Sequence, residues 1–184
     1  MNTKTKKLST VSMVLCGMFA ALVAIGAFIQ IPVPYMDYFT LQFFFVLLAG
    51  LILGADKGAI SVGCYVLLGL VGVPIFAAGG GIGYIFRPSF GYLVGFIVSA
   101  YVTGKVCEKL KASYKNYLLA CLAGFVVTYA IGIVYKFIIL NFYAHTPATL
   151  GVIFLSCFPL DMPGDFVLCL LAAGVLSELI KKGA

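Results

Sequence analysis

The sequence predicts an all-α integral membrane protein with six transmembrane helices, cytoplasmic N- and C-termini, and a Gly/Pro-rich outer loop between helices 3 and 4. Of the 184 residues, 63% are hydrophobic and 10% are charged, whereas a typical soluble domain carries about 25% charged residues. Long apolar segments alternate with short polar ones, and the basic residues are unevenly distributed along the chain. The chain is short enough to be a single membrane domain, residues 1–184, with almost nothing outside the bilayer.

Six apolar segments are predicted to form helices, roughly at residues 11–31, 41–54, 59–70, 90–107, 117–142 and 165–180. The first segment follows three lysines, as in a signal peptide, but it is longer than a signal core of roughly 7–15 residues, so we expect a retained helix. Helices 2 and 3 are shorter than the roughly 20 residues that a full span needs, and residues 55–58 between them are predicted to form a tight polar turn. Short helices beside an interrupted segment point to a binding site in transporters.

The basic residues predict the orientation of the chain. Ten of the twelve lie in segments that the six-helix arrangement places on one side: Lys4, Lys6, Lys7, Lys57, Lys105, Lys109, Lys111, Lys115, Lys181 and Lys182. The two exceptions are Arg87 and Lys136. Because cytoplasmic loops carry the excess of lysine and arginine, both termini are predicted to be cytoplasmic. The net charge of +6 then reflects orientation, and no nucleic-acid partner is expected.

The stretch Val71–Phe96 is the longest break between the apolar segments. It contains Pro74 and Pro88, which end helices, and five glycines from Gly79 to Gly91, which let the backbone approach a ligand closely. Non-helical backbone at membrane depth is tolerated only where protein buries it or where it lines a cavity. We therefore predict that this stretch is the floor or the lid of a binding site.

Six polar residues are predicted within or near the outer half of the membrane: Gln42, Arg87, Lys136, Asn141, Asp161 and Asp165. Placing an ionisable group at this depth costs about 2.5–3.5 kcal/mol of insertion free energy. Such a residue is therefore expected either to pair with another group or to have a function. Lys136 either snorkels to the interface or faces a ligand, and Asp165 either caps the last helix, binds a ligand, or does both. Arg87 is either a surface charge or a binding residue whose guanidinium makes two parallel hydrogen bonds to a carboxylate. Asp161 is interpreted as a loop residue, and Gln42 as a first-turn residue that faces water or a pocket.

Aromatic residues surround these polar positions: Phe39, Phe76, Tyr84, Phe86 and Tyr92. Such residues usually pack or form an interfacial belt, but beside polar groups they can line a pocket for a partly apolar ligand. In helix 1 the small residues Ala20, Ala24 and Ala27 share one face, as do Gly17 and Ala21. Small residues at this spacing let helices pack closely in lipid, either within the chain or against a partner protein.

Several classes of active site are excluded by the sequence. There is no GxxxxGK[ST] motif for ATP, and the GGGIG run lacks the preceding strand of a dinucleotide fingerprint. One histidine, His145, and six scattered cysteines provide no ligand cluster for zinc or iron. No nucleophile or acid–base set for a membrane enzyme is present, and a self-sufficient channel or facilitator would need a polar path through helices whose cytoplasmic halves are apolar. The residues predict an outward-facing polar pocket with no metal, no cofactor and no catalysis.

The chain resembles the BioY family, the biotin-binding S components of energy-coupling factor (ECF) vitamin transporters. The resemblance extends from about residue 10 to residue 180 and is carried by short matching pieces in the same order: FTLQ at 39–42, LLAGLILG at 47–54, YVLLGLVGVPIFA at 65–77, GGG at 79–81, PSFGYLVGF at 88–96 and PGD at 163–165. Each piece is weak alone, and together they are specific.

The resemblance implies a bacterial plasma-membrane protein that binds biotin and transports it with a membrane scaffold subunit and two ABC-type ATPases, which use the ATP. Asp165 is then expected to accept hydrogen bonds from the ureido N–H groups. Aromatic residues near Phe76 and Tyr84 are expected to cover the apolar part of biotin, and the glycine loop is expected to close over it. The binding set implied in this way is Asp165, Arg87, Lys136, Gln42, Phe76, Gly79, Gly80, Tyr84 and Tyr92. Small residues on helix 1 dock the scaffold in this family, which corresponds to Ala20 and Ala24 here.

The sequence departs from the family pattern near the expected ligand. The family often has PTGGYL where this chain has PSFGYL, and Arg87 stands where glycine is common. The last helix often begins Asp-x-x-Lys, but here Leu168 occupies the lysine position. We expect Lys136 or Arg87 to take over the cationic role. An S component for thiamine or riboflavin is the alternative with the same architecture, although the FTLQ and glycine-loop pieces argue against it.

Overall fold

The computed structural model describes residues 9–32, 38–157 and 161–183. Over these residues the chain forms seven α-helices: α1 Thr10–Phe28, α2 Gln42–Leu53, α3 Ala55–Leu70, α4 Phe90–Lys109, α5 Tyr114–Ile138, α6 Leu150–Cys157 and α7 Asp161–Gly183. The predicted helical class is confirmed, and α6 is an additional short helix. Four helices, α1, α4, α5 with its continuation, and α7, are long and apolar enough to cross a membrane. The six-span count stays a prediction.

A short antiparallel β-hairpin connects α1 to α2. Strand β1, Gln30–Pro32, pairs with strand β2, Tyr38–Thr40. The sequence predicts that helix 1 continues to residue 31 and that a loop follows, and it predicts no strand, because three-residue strands beside proline carry no periodic signal. The helix instead ends at Phe28, and residues 33–37 lie outside the described residues. The Leu41 N–H donates to the carbonyl of Gly26 at 3.1 Å, which holds the end of the hairpin against α1. Strand β2 therefore leads directly into the start of α2.

A single residue, Gly54, joins α2 to α3. Its φ of +82° lies in the left-handed region that favours glycine, and its N–H donates to the carbonyl of Gly50 at 3.1 Å. The prediction of a polar turn over residues 55–58 is wrong, because these residues form the first turn of α3. An Oε1 atom of Glu108, near the end of α4, accepts from the Ala55 N–H at 2.9 Å and so satisfies one of the free N–H groups at the start of α3.

Glycines allow α4 and α5 to pack closely along their length. A Cβ atom added to Gly91 would lie 2.3 Å from the Cβ of Tyr135, and one added to Gly132 would lie 2.5 Å from the ring of Tyr92. No side chain fits at these distances, so the two helices are fixed in one register. This register places Tyr92 on α4 and Lys136 on α5 along the same cavity.

The stretch between α3 and α4 folds as a tight loop followed by a 3-10 turn, Ile82–Phe86. Gly79 and Gly81 have φ angles of +109° and +98°, conformations that other residues rarely adopt. The Gly81 N–H donates to the carbonyl of Gly69 at 2.7 Å, which ties the loop back to α3. The glycines thus give the loop its shape and hold it on the ends of the helices.

Helix α5 ends earlier than predicted and continues as a π-helical turn, Ile139–Tyr143. A π-turn adds one residue to the helical repeat and changes the direction of the side chains that follow it. The amide of Asn141 donates to the carbonyl of Ala148 at 2.9 Å, and its oxygen accepts from the Ala148 N–H at 3.3 Å. This pair of hydrogen bonds holds the segment between the π-turn and α6 near the end of α5.

Candidate functional site

A cavity of about 440 Å³ lies where the starts of α2, α4 and α7 meet the end of α5. Small-molecule sites usually have volumes of about 300–1,000 Å³. Its wall is mostly aromatic and apolar, with a few polar groups: Tyr38, Phe39, Thr40, Gln42, Phe43, Ala77, Tyr84, Pro88, Ser89, Tyr92, Leu93, Phe96, Tyr129, Lys136, Leu140, Asp161 and Asp165. The cavity can therefore enclose a partly apolar molecule that also carries polar or charged groups.

Asp165 lies one turn inside α7 and contributes its carboxylate to the cavity. The Tyr129 hydroxyl donates to its Oδ2 at 2.8 Å. The predicted capping role is wrong, because α7 begins at Asp161 and includes Pro163, which is tolerated in the first turn of a helix. Asp161 is likewise a helical residue that lines the cavity, and the prediction of a loop residue is wrong.

Lys136 is half-buried on α5 and also lines the cavity. Its Nζ donates to the hydroxyl oxygen of Ser156 at 3.4 Å. No carboxylate oxygen of the described residues lies within 4.0 Å of this ammonium. The Lys136 ammonium and the Asp165 carboxylate therefore line one cavity without forming an ion pair with each other. A ligand with both an anionic group and N–H donors would match these two groups.

Gln42 is buried in the first turn of α2, where it belongs to a chain of side-chain hydrogen bonds. The Thr40 hydroxyl donates to its Oε1 at 3.2 Å, and its Nε2 donates to the hydroxyl of Tyr65. The Tyr65 hydroxyl in turn donates to the carbonyl of Ile75 at 3.2 Å. Gln42 thus has a fixed orientation in the cavity wall, and one N–H of its amide remains for a ligand.

The loop before α4 supplies the cavity wall through Ala77 and Tyr84. Phe76 lies behind this wall, 1% exposed, with its ring centroid 4.6 Å from that of Tyr84. Gly79 and Gly80 also do not line the cavity. A Cβ added to Gly80 would lie 2.4 Å from a backbone carbonyl oxygen, so this residue shapes the loop. The structure therefore gives Phe76 and the two glycines a supporting position.

Arg87 does not line the cavity. Its side chain is exposed, and its guanidinium carbon lies 5.3 Å from the centroid of the Tyr84 ring, within the range of a cation–π contact. Of the two cations that the sequence offers as the replacement for the family lysine, Lys136 is the one on the cavity wall. Leu168, at the family's lysine position, is 5% exposed and belongs to the apolar core.

Tyr92 on α4 and Ser89, the residue just before α4, both line the cavity, but their hydroxyl groups differ in hydrogen bonding. The Tyr92 hydroxyl lies 3.1 Å from the Sγ of Cys157 on α6. The Oγ of Ser89 is buried and makes no hydrogen bond within the part of the chain that the structure describes. A buried hydroxyl without a partner is costly, so Ser89 is suited to a polar group of a bound ligand.

Several lining residues are not selected by the sequence analysis, and Tyr129, Ser89 and Phe43 are three of them. A helical signal exists for the first of these, since Tyr129 and Lys136 are seven residues apart on α5 and lie on the same face. At the start of α4, the N-cap residue Ser89 and the helical residues Tyr92, Leu93 and Phe96 form a similar stripe. If one residue of each stripe is taken to line the cavity, the helical periodicity predicts that the others line it as well.

The predicted docking residues lie on the side of α1 that faces the rest of the chain. Ala20 is 6% exposed in the apolar core, and Ala24 is half-buried and packs against that core. The small residues on the exposed side of α1 are Gly17 and Ala21. Docking through Ala20 and Ala24 stays a prediction, and the observed packing of these two residues is against other helices of this chain.

Among the described residues, no group of three or more His, Cys, Asp and Glu side chains is arranged to hold a metal ion. The polar groups of the cavity instead comprise hydroxyls, one amide, one ammonium and two carboxylates. These groups bind and orient a ligand through hydrogen bonds and charge. The arrangement supports recognition of a small molecule.

Comparisons with known proteins agree on one family. The model of the BioY family matches residues 1–183. The "Probable biotin transporter BioY" of Lysinibacillus sphaericus is 40% identical over 178 residues, which cover 96% of this chain and 90% of that protein. The "Biotin transporter BioY" of Thermotoga maritima is 45% identical over 130 residues, which cover 70% of this chain and 73% of that protein.

A similar fold is found in the crystal structure at 2.1 Å of an S-component for biotin from an ECF-type ABC transporter. The TM-score is 0.81 at 24% sequence identity, and the match covers 98% of this chain and 95% of that chain. At this identity the likeness supports the fold alone.

Proposed function

Because this chain belongs to the BioY family, we propose that it is the high-affinity biotin-binding S component of an ECF transporter. The observation that carries the proposal is that Asp165 and Lys136 line one cavity without forming an ion pair with each other. Biotin has N–H donors on its ureido ring at one end and a carboxylate at the other. The cavity therefore offers a charged partner for each end of this ligand.

In the proposed complex, Asp165 accepts hydrogen bonds from the ureido N–H groups, and Lys136 meets the carboxylate. Charge-assisted hydrogen bonds of this kind are stronger than neutral ones. Gln42 and the Ser89 hydroxyl are within the same wall and supply further polar contacts. Tyr84 and Tyr92 cover the apolar bicycle and the valeryl chain. Arg87 affects the ligand in this arrangement only through its contact with the Tyr84 ring. Phe76, Gly79 and Gly80 support the loop that carries Tyr84.

The chain is a multi-pass membrane protein of a transporter family, and it is not an enzyme and needs no cofactor. We propose that it lies in the bacterial plasma membrane as a single membrane domain of six spans with cytoplasmic termini. Energy then comes from partner chains, a membrane scaffold subunit and two ABC-type ATPases. The lysine distribution supports the orientation, and the family supports the partners.

The test is isothermal titration of the purified protein in detergent with biotin, with thiamine and riboflavin as controls. Tight one-to-one binding of biotin and no binding of the other vitamins is the expected result. A folded sample that binds thiamine or riboflavin and not biotin would replace the proposed substrate. A folded sample that binds none of the three would contradict the proposal of a vitamin-binding component.

A further inference from the structure

Helix α6 contributes no residue to the cavity wall, yet two of its side chains contact residues that do. Ser156 contacts Lys136 of α5, and Cys157 contacts Tyr92 of α4. Both α6 residues also donate to one carbonyl, that of Ile153. We call Ile153, Ser156 and Cys157 the α6 clamp.

The direction of the hydrogen bonds at Ser156 follows from its single proton. Its hydroxyl donates to the carbonyl of Ile153 at 2.7 Å, so the Oγ atom is left as an acceptor. The ammonium of Lys136 donates to this oxygen at 3.4 Å. An ammonium has three N–H donors, so two remain for a ligand in the cavity.

The same reasoning applies to Cys157, which is fully buried. Its S–H donates to the carbonyl of Ile153 at 3.3 Å, which leaves the sulfur to accept from the Tyr92 hydroxyl at 3.1 Å. Ile153 itself is 1% exposed, and its N–H donates to the carbonyl of Thr149 at 3.1 Å, which fixes its position. In the clamp Ile153 and Cys157 are buried and Ser156 is half-buried. The clamp contacts α5 through Ser156 and α4 through Cys157.

A fixed position matters most for lysine, because its long side chain has many rotamers and loses much conformational entropy when a ligand orders it. A hydrogen bond that orders the ammonium before binding reduces this loss, which is the general advantage of preorganisation. Tyr92 has fewer rotamers and is already packed against Gly132. The larger effect of the clamp is thus expected at Lys136.

We propose that Ser156 is a positioning residue that orients the Lys136 ammonium toward an anionic group of the ligand. This inference rests on the proposed function, in which that group is the biotin carboxylate. Cys157 has the corresponding role for the hydroxyl of Tyr92. The α6 clamp makes this short helix part of the binding site although it does not touch the cavity.

The test compares biotin with biotinol, in which an alcohol replaces the carboxylate, by titration of four proteins. S156A is expected to weaken the binding of biotin about three- to tenfold and to leave the binding of biotinol within about twofold. S156T keeps the hydroxyl and is expected to restore biotin affinity. L155A is the matched control, because Leu155 is on the same helix and 67% exposed, and it is expected to bind both ligands like the unchanged protein.

If S156A loses affinity equally for both ligands, Ser156 has a merely structural role and the inference is overturned. An unchanged affinity of S156A for biotin would also overturn the inference. A second readout needs no ligand: the rate at which an acylating reagent modifies Lys136, followed by peptide mass spectrometry. S156A is expected to react several-fold faster than the unchanged protein and L155A, and equal rates would overturn the inference. If the unchanged protein binds no biotin, the proposed function fails, and the acylation rates still decide the position of Lys136.

Discussion

The hydroxyl of Tyr129 on α5 donates a hydrogen bond to the Oδ2 atom of Asp165 on α7 at 2.8 Å. Both residues line the cavity, so this contact joins two helices within the wall of the site. It holds one carboxylate oxygen in a fixed direction and leaves the other, Oδ1, to a ligand. Tyr129 is thus a residue whose effect on a ligand passes mainly through Asp165.

The substitution Y129F is expected to weaken biotin binding about three- to tenfold, because Asp165 loses the donor that orients it. Titration of the purified protein in detergent measures this change. Y101F is the matched control, since Tyr101 is 40% exposed on α4 and lies outside the cavity wall. An equal affinity of Y129F and Y101F would contradict the orienting role.

The substitution D165N is expected to have a larger effect, about a ten- to hundredfold loss of biotin affinity. It removes the charge that strengthens the hydrogen bonds from the ureido N–H groups, while the size of the side chain is kept. D56N is the control, because Asp56 is exposed in the first turn of α3 and does not line the cavity. The proposed role of Asp165 does not survive if D165N binds biotin as tightly as D56N does.

The two candidate cations can be separated by K136M and R87M. Since Lys136 lines the cavity and Arg87 does not, K136M is expected to weaken biotin binding about ten- to hundredfold. R87M is expected to change it by no more than about threefold, and biotinol binding should be insensitive to both substitutions. The reverse order of effects would assign the carboxylate to Arg87, which would then need to move away from its contact with Tyr84.

The close packing of α3 and α4 can be tested by G104A. A Cβ at Gly104 would lie 2.4 Å from the backbone nitrogen of Ala55, and such overpacking costs about 1–3 kcal/mol. We expect a lower midpoint of thermal unfolding in detergent. G17A is the control, because nothing lies within 4 Å of a Cβ at Gly17 and alanine favours helix more than glycine does. A midpoint for G104A as high as that for G17A would refute the steric argument.

Several parts of the site could be predicted because charged and amide side chains are rare in apolar segments. Asp165, Lys136 and Gln42 stand out in the sequence for this reason, and all three line the cavity. Tyr129 does not stand out, because a tyrosine in an apolar helix is as often a packing residue as a binding residue. The sequence places Asp161 in a loop before a last helix that starts at residue 165. The helix begins at Asp161 instead, because Pro163 is compatible with the first turn of a helix.

Other features depend on contacts between distant parts of the chain. The α6 segment is apolar and only eight residues long, and no local pattern indicates that Ser156 reaches Lys136, 20 residues away. The local sequence likewise does not decide whether Arg87 or Lys136 lines the cavity, because each lies beside aromatic residues in the sequence. Phe76 looks like a pocket residue by composition, but Tyr84 stands between it and the cavity in the part of the chain described here.

The sequence by itself determined the helical membrane class, the approximate bounds of six helices, and the family, because hydropathy, helix-breaking residues and motif order are local properties of the chain. The tertiary structure decided which polar side chains share one cavity. That outcome depends on the register of packed helices, which is fixed at glycines such as Gly91 and Gly132 by contacts with residues 40 or more positions away. A shift of one residue in that register would turn Tyr92 and Lys136 away from the cavity, and no local pattern records it.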